Sequence, residues 1–549
     1  MKLRTSLGSP IARLAAFALA AGLLASSGRT ASADQPTPDA TSAPAAPAPS
    51  ASAPSLSNDV NDQDDVLLRG DAKKAVEAVT LINELSTDEA SKKLEGADTN
   101  DALLTYARAM LAHYEGRCVD ASALYREPLL LQHGPSQRLL EITQGCESTM
   151  AGAVVREDAA SGTWIRFQHE ADAVLAPFIY EVVSAQRAVF QRDLGVTMPP
   201  VIRIELVRDQ MGLSAMTGLP LKAARTTGTV GIAKFGRVIV VSPRATDNGY
   251  PVLDTLAHEL THLALTRASG DEAPLWFQEG VARTMEVRWR ASTPFDHVPD
   301  PDDLAAFGIK KNIGPEIDKI GPSIALLPSA EEAQVTYAKV QSFTEFFARE
   351  AGTDAMPKLL AAMRDSAGAE TPIGTIVETA TGAPFDTWAT RWKADVLSTT
   401  KELPERDRPA APPAKELKEV RQRFRLGQLL HDRGHAPSAA KELERGLTLM
   451  PSEAPVRALF SRALFDSNEP ARAKQLVERP EDVHDNEARW WSMRAALGVP
   501  DTNVAIRMAI ALAPYDPAVA CEEKSAPHLP EDAARRALCE AARIKPRGR

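Results

Sequence analysis

The segment Leu256-Ala257-His258-Glu259-Leu260-Thr261-His262 restricts this chain more than any other. Read as a helix, it places His258 and His262 one turn apart on the same side, so that both imidazoles reach a single metal ion. Glu259 lies about 100° further round, close enough to hydrogen-bond a metal-bound water without being a ligand. Leu253, Leu256, Ala257, Leu260, Leu263 and Ala264 form an apolar face that buries the helix and turns the histidines towards a cleft. A reversal through Ser269-Gly270-Asp271-Glu272-Ala273-Pro274 then leads into Trp276-Phe277-Gln278-Glu279-Gly280-Val281-Ala282, a second helix begun by Pro274. Glu279 is the expected third ligand. Glu272 competes with it from the loop, and Glu286 lies too far along the helix to reach the metal. Three protein ligands with a fourth position open describe a catalytic zinc site rather than a structural one.

His258-Glu259-x-x-His262 with Trp276-Phe277-x-Glu279-Gly280-x-Ala282 resembles the peptidase MA-like, gluzincin families of zinc metallopeptidases. The resemblance runs from about Ala151 to Ser398 and includes the helix carrying Tyr337-x-x-x-Gln341-Ser342-Phe343. It implies an α+β zincin-like metallopeptidase domain: a twisted sheet over the active-site helix, then a helical subdomain closing the cleft. By motif, His258, His262 and Glu279 would ligate one zinc ion per chain, and Glu259 would be the catalytic general base. The ion would lower the pKa of its water and polarise the scissile carbonyl, and Glu259 would take the water proton and pass it to the leaving amine. Tyr337 is the expected donor to the oxyanion, with His297 as the alternative. The place one turn after the glutamate ligand, acidic in some gluzincins, is Arg283 here. Asp254 is then the candidate for orienting an imidazole.

The flanks read as helical. At 549 residues the chain exceeds one ordinary domain. Residues 63–150 form an expected helical module, in which Gly116 turns the chain between Tyr106-Met110 and Ala121-Tyr125. Val154-Val155, Thr163 to Phe167 and Val201 to Val207 read as strands, with Ala171 to Leu194 a long amphipathic helix between the last two. Thr229 to Ala233 and Arg237 to Val241 pair across Lys234-Phe235-Gly236. The first of this pair is the expected edge strand, to which an extended peptide would add. The metallopeptidase domain is assigned to 151–400, with helices at Val335 to Ala348, Asp354 to Met363 and Phe385 to Val396. A proline-rich linker follows at 401–415.

Residues 416–549 carry a repeat. Leu426-Gly427, Leu430, Gly434, Ala439, Leu443, Gly446 and Pro451 resemble the tetratricopeptide pattern, and Phe460, Ser461, Leu464, Ala473 and Val477 recur about 34 residues later. Asn486 to Pro517 keeps the helix-turn-helix shape. All-α tetratricopeptide-like modules on both flanks would recruit a protein partner, beside a peptide or protein substrate in the cleft.

The first 33 residues read as a secretory signal: Lys2, Arg4 and Arg13, an apolar Leu14 to Ala25, and a small-residue site with cleavage after Ala33. Residues 34–62, rich in Ala, Pro and Ser, form an expected disordered linker. A periplasmic or secreted protein is expected, with no later segment apolar enough to span a membrane. In that oxidising setting the cysteines pair locally, Cys118 with Cys146 and Cys521 with Cys539. The net charge of −10 argues against a nucleic-acid partner. Two rival readings stand beside the peptidase: a non-catalytic scaffold whose repeats bind a partner, and a zinc hydrolase acting on a non-peptide amide such as a cell-wall component.

Overall fold

The computed structural model describes residues 71–512, apart from 98–100, 246–249, 291–295, 297–298, 353, 367–370, 404–407, 410–414, 452–453, 479–486 and 501. The signal, the 34–62 linker, His297 and the Cys521–Cys539 pair lie outside the described residues. The protein is mostly helical, with one small mixed sheet and tetratricopeptide-like repeats in its last third.

The N-terminal helices are α1 (Asp71–Asn83), α2 (Thr87–Leu94), α3 (Ala102–Tyr114), α4 (Cys118–Tyr125), α5 (Pro128–Leu131) and α6 (Gly134–Thr149). Asp101 caps α3 by accepting from the Leu103 and Leu104 amides at 2.8 and 2.9 Å. Their apolar faces close a separate core around Leu104, Ala107, Leu111 and Tyr125. Cys118 and Cys146 join α4 to α6 with a Cα–Cα distance of 5.9 Å. The turn between α3 and α4 needs a glycine, because Gly116 has φ +77° and a Cβ there would meet the Trp164 ring at 3.2 Å.

The sheet comprises β1 (Val154–Asp158), β2 (Thr163–Phe167), β3 (Ile202–Val207), β4 (Gly231–Lys234) and β5 (Arg237–Val241), in the order β1-β2-β3-β5-β4. The β2/β3 and β3/β5 pairs are parallel, and the outer pairs are antiparallel. Both faces are covered, which is why β5 is buried along its whole length. Ile204, Leu206, Val238 and Val240 face the main core, whereas Val207, Ile239 and Val241 meet Cys118, Cys146, Leu213 and Met216. On this second face the buried Glu205 accepts from Arg237 at 2.7 Å and from Arg166 at 2.5 Å. One buried carboxylate thus ties three strands together.

The Ala171 to Leu194 segment is a 3-10 turn followed by α7 (Ala176–Asp193). Glu170–Asp193, 24 residues, is long and apolar enough to cross a membrane, contrary to the sequence expectation. Its Phe178, Ile179, Val182, Val183 and Phe190 are buried in the main core, so its apolarity serves packing. Helices α8 (Gln210–Thr217) and α9 (Leu221–Thr227) have no counterpart among the expected elements. Their stop signals were present: Gly218 and Gly228 end them at φ +72° and +71°.

Beyond the sheet come α10 (Val252–Ser269), α11 (Leu275–Met285), α12 (Pro301–Lys311), α13 (Ala330–Ala351), α14 (Ala355–Asp365), α15 (Ile373–Thr381) and α16 (Phe385–Thr399). The C-terminal hairpins are α17 (Lys415–Asp432) with α18 (Ala436–Leu449), α19 (Ala454–Asp466) with α20 (Pro470–Val477), and α21 (Ala488–Ala496) with α22 (Thr502–Leu512). Small residues set the crossings where the repeat pattern places them. A Cβ on Gly427 would meet Leu443 at 2.6 Å, and Ser461 one repeat later donates to the Ala473 carbonyl at 3.0 Å. Trp490, Trp491, Ile506 and Ile510 join the same core as α10, so the repeats are packed onto the central unit.

One junction predicts acid sensitivity. His113 of α3 is buried, stacks on Phe235 of the β4–β5 turn at 4.4 Å, and its Nε2 has no hydrogen-bond partner. Burial first, then Arg237 and Lys234, hold its pKa well below the ordinary value. A depressed histidine pKa favours the fold while the ring is neutral, and that stability is lost as pH falls below about 6.5, by up to roughly 1.4 kcal/mol per unit. The melting temperature of His113→Leu should therefore decline less between pH 7 and pH 5 than that of the wild type.

Candidate metal centre

Helix α10 buries the predicted face, with Leu253, Leu256, Ala257, Leu260, Leu263 and Ala264 all in the main core. Gly270 at φ 64° and Asp271 at φ 67° reverse the chain in a tight turn. Glu272 is exposed in that turn and is not among the grouped ligands. In α11, Trp276 packs edge-on against Phe343 and near Phe385, both with ring centroids 5.2 Å away. Gly280 allows α11 to cross α13, since a Cβ there would lie 2.6 Å from the Val340 carbonyl. That close approach brings Glu279 and Tyr337 to the histidines.

The predicted triad comes together. Ligand atoms of His258, His262 and Glu279 all lie within 4.8 Å of one another. Glu279 Oε2 is 3.4 Å from His258 Nε2 and 3.6 Å from His262 Nε2. These separations exceed a good N–H···O hydrogen bond. They approach the roughly 3.3–3.4 Å that separates donors of a tetrahedral zinc with bonds of about 2.0–2.1 Å. Glu279 Oε2 is also buried without a hydrogen-bond partner. A carboxylate oxygen left so between two imidazole nitrogens fits a divalent cation, and the donor set can hold one.

Glu259 sits beside the triad, buried against the edge strand. The Ala233 backbone N–H donates to it, and a Cβ on Gly231 would come within 2.8 Å of its Oε1. Burial pushes its pKa up to about 7; the His258 charge opposes this and Glu279 adds to it. The two imidazoles differ. At His258 burial opposes the charge, but the neighbouring carboxylates of Glu279, Glu286 and Glu259 prevail and hold it up at about 10, whereas at His262 burial prevails and holds it down at about 4. Tyr337 of α13 lies 6.4 Å from His258 between ring centroids, and burial, reinforced by Glu279 and Glu259, keeps its hydroxyl protonated.

One sequence assignment changes. Asp254 does not orient an imidazole: it accepts from Trp289 Nε1 and Arg290 Nη2, each at 2.8 Å. Glu286 takes that place, with its Oε2 3.0 Å from His258 Nδ1. Two turns beyond Glu279 it returns to the same helix face; too distant for the metal position, it meets the far side of the ring. Arg283 holds the other Glu286 oxygen at 2.5 Å, so a base at the position after the ligand steadies an acid further along. Glu286→Ala should weaken the hold of this donor set on a divalent cation by about 10–100-fold, as loss of an outer partner does, measured in competition with a chromophoric chelator.

A family model for the tetratricopeptide repeat matches residues 430–497, from the end of α17 to the end of α21. Repeats of this kind point to protein–protein interaction. No curated protein matches the chain.

Proposed function

We propose that this chain is a zinc-dependent metallopeptidase of the gluzincin kind, its central unit a zincin-like domain and its repeats a partner-binding module. The reading rests on one observation: a buried glutamate, Glu259, lies between an edge strand and a convergent His258–His262–Glu279 donor set. Zinc bound there supplies a Lewis acid and a nucleophile at neutral pH. Glu259 accepts a proton during attack and returns it to the departing amine. Tyr337, protonated at working pH, donates to the carbonyl oxygen as charge builds on it. Strand β4 pairs only with β5 among the described strands, so an extended peptide can add along its outer edge beside Glu259. A disulfide between Cys118 and Cys146 accords with export to a periplasm or the exterior.

Mass-spectrometric profiling of a peptide library with the zinc-loaded full chain tests this. Internal amide cleavage, stopped by a chelator and restored by zinc, is the expected result. Intact peptides beside a hydrolysed cell-wall amide would replace the substrate class, and no hydrolysis of either would favour a scaffold.

A further inference from the structure

We infer that Gln186, on α7 and remote in sequence from the motif, is the positioning residue that sets the spacing between the two halves of the metal centre. Its side chain is fully buried. One Nε2 group donates to the Ala257 carbonyl at 3.3 Å and to the Met285 carbonyl at 3.2 Å. Ala257 directly precedes His258 on α10, and Met285 directly precedes Glu286 on α11, so a single amide bridges the helix of the two histidines to the helix of Glu279 and Glu286.

Satisfying those carbonyls does not require it. Ala257 O already accepts from Thr261 Oγ1 at 2.8 Å, and Met285 O from the Arg288 amide at 3.1 Å. The other end of the amide, Oε1, is buried with no hydrogen-bond partner, which costs stability. A methionine of similar volume would fill the space without that cost. A buried amide that is half satisfied, and whose satisfied half spans the two site helices, is suited to holding geometry rather than to stabilising a core.

The inference rests on the metal reading, and Gln186→Met separates the two. Zinc affinity, measured on the full chain against a chromophoric chelator, should fall by about 10–100-fold while the metal-free melting temperature stays level or rises. Val183→Ala, one turn earlier on α7 and equally buried, should do the reverse: a lower melting temperature with unchanged affinity. If Gln186→Met does not fold, Gln186→Asn, which keeps the amide but draws it back by one methylene, should show the same affinity loss. Wild-type affinity in the folded Gln186 variant, or a loss matching that of Val183→Ala, would overturn the positioning role alone. A wild-type chain that takes no zinc would overturn both readings.

Discussion

Glu259→Gln is expected to bind zinc as well as the wild type and to lose about 10³-fold in peptide hydrolysis. The amide keeps the shape of the carboxylate, and its oxygen can still accept from the Ala233 N–H that holds Glu259 against β4. It cannot take a proton. Metal binding is spared for a second reason. The Glu259 charge supports the proton on His258, and a metal ion must displace that proton before the imidazole can ligate. Removing the charge eases the exchange. Metal content by native mass spectrometry, with initial rates on a fluorogenic peptide, checks both halves. Hydrolysis at the wild-type rate would remove the general-base role.

The second large effect is on the metal itself. His262→Ala should weaken zinc binding by more than the roughly 100-fold upper range for losing an outer partner. Burial holds His262 neutral, at about 4, so its lone pair is ready without proton displacement. Two donors, His258 and Glu279, would remain. Thermal unfolding reads this directly, because an ion present at 1,000 times its dissociation constant stabilises the fold by about 4 kcal/mol. That zinc-dependent rise in melting temperature should be present in the wild type and cut by about two-thirds or more in His262→Ala. An equal rise in both would remove His262 from the ligand set.

What the sequence revealed follows from how local each interaction is. His258 and His262 are legible because one helical turn fixes their relation, and Glu279 because Pro274 and Gly280 announce a second helix that packs closely. The contact of Glu286 with His258 Nδ1 was not legible, because it is made only once α11 lies across α10. Asp254 was misassigned because Trp289 and Arg290 claim it from beyond α11. Gln186 carried no signal, since its partners are carbonyls on helices far along the chain. The strands were legible from their apolar runs, whereas α8 and α9 are too short for helical periodicity to stand out. In the last third, Gly427 and Ser461 marked the helix crossings at repeat spacing. The docking of Trp490 and Trp491 into the core of α10 had no counterpart in the repeat pattern.

Native mass spectrometry of the full chain with one equivalent of zinc tests the central claim most directly. One ion per wild-type chain, and none on a chain lacking both His258 and His262, is the predicted result. A wild type that takes no zinc, or a doubly substituted chain that holds it equally well, would contradict the metal centre on which the proposed function stands.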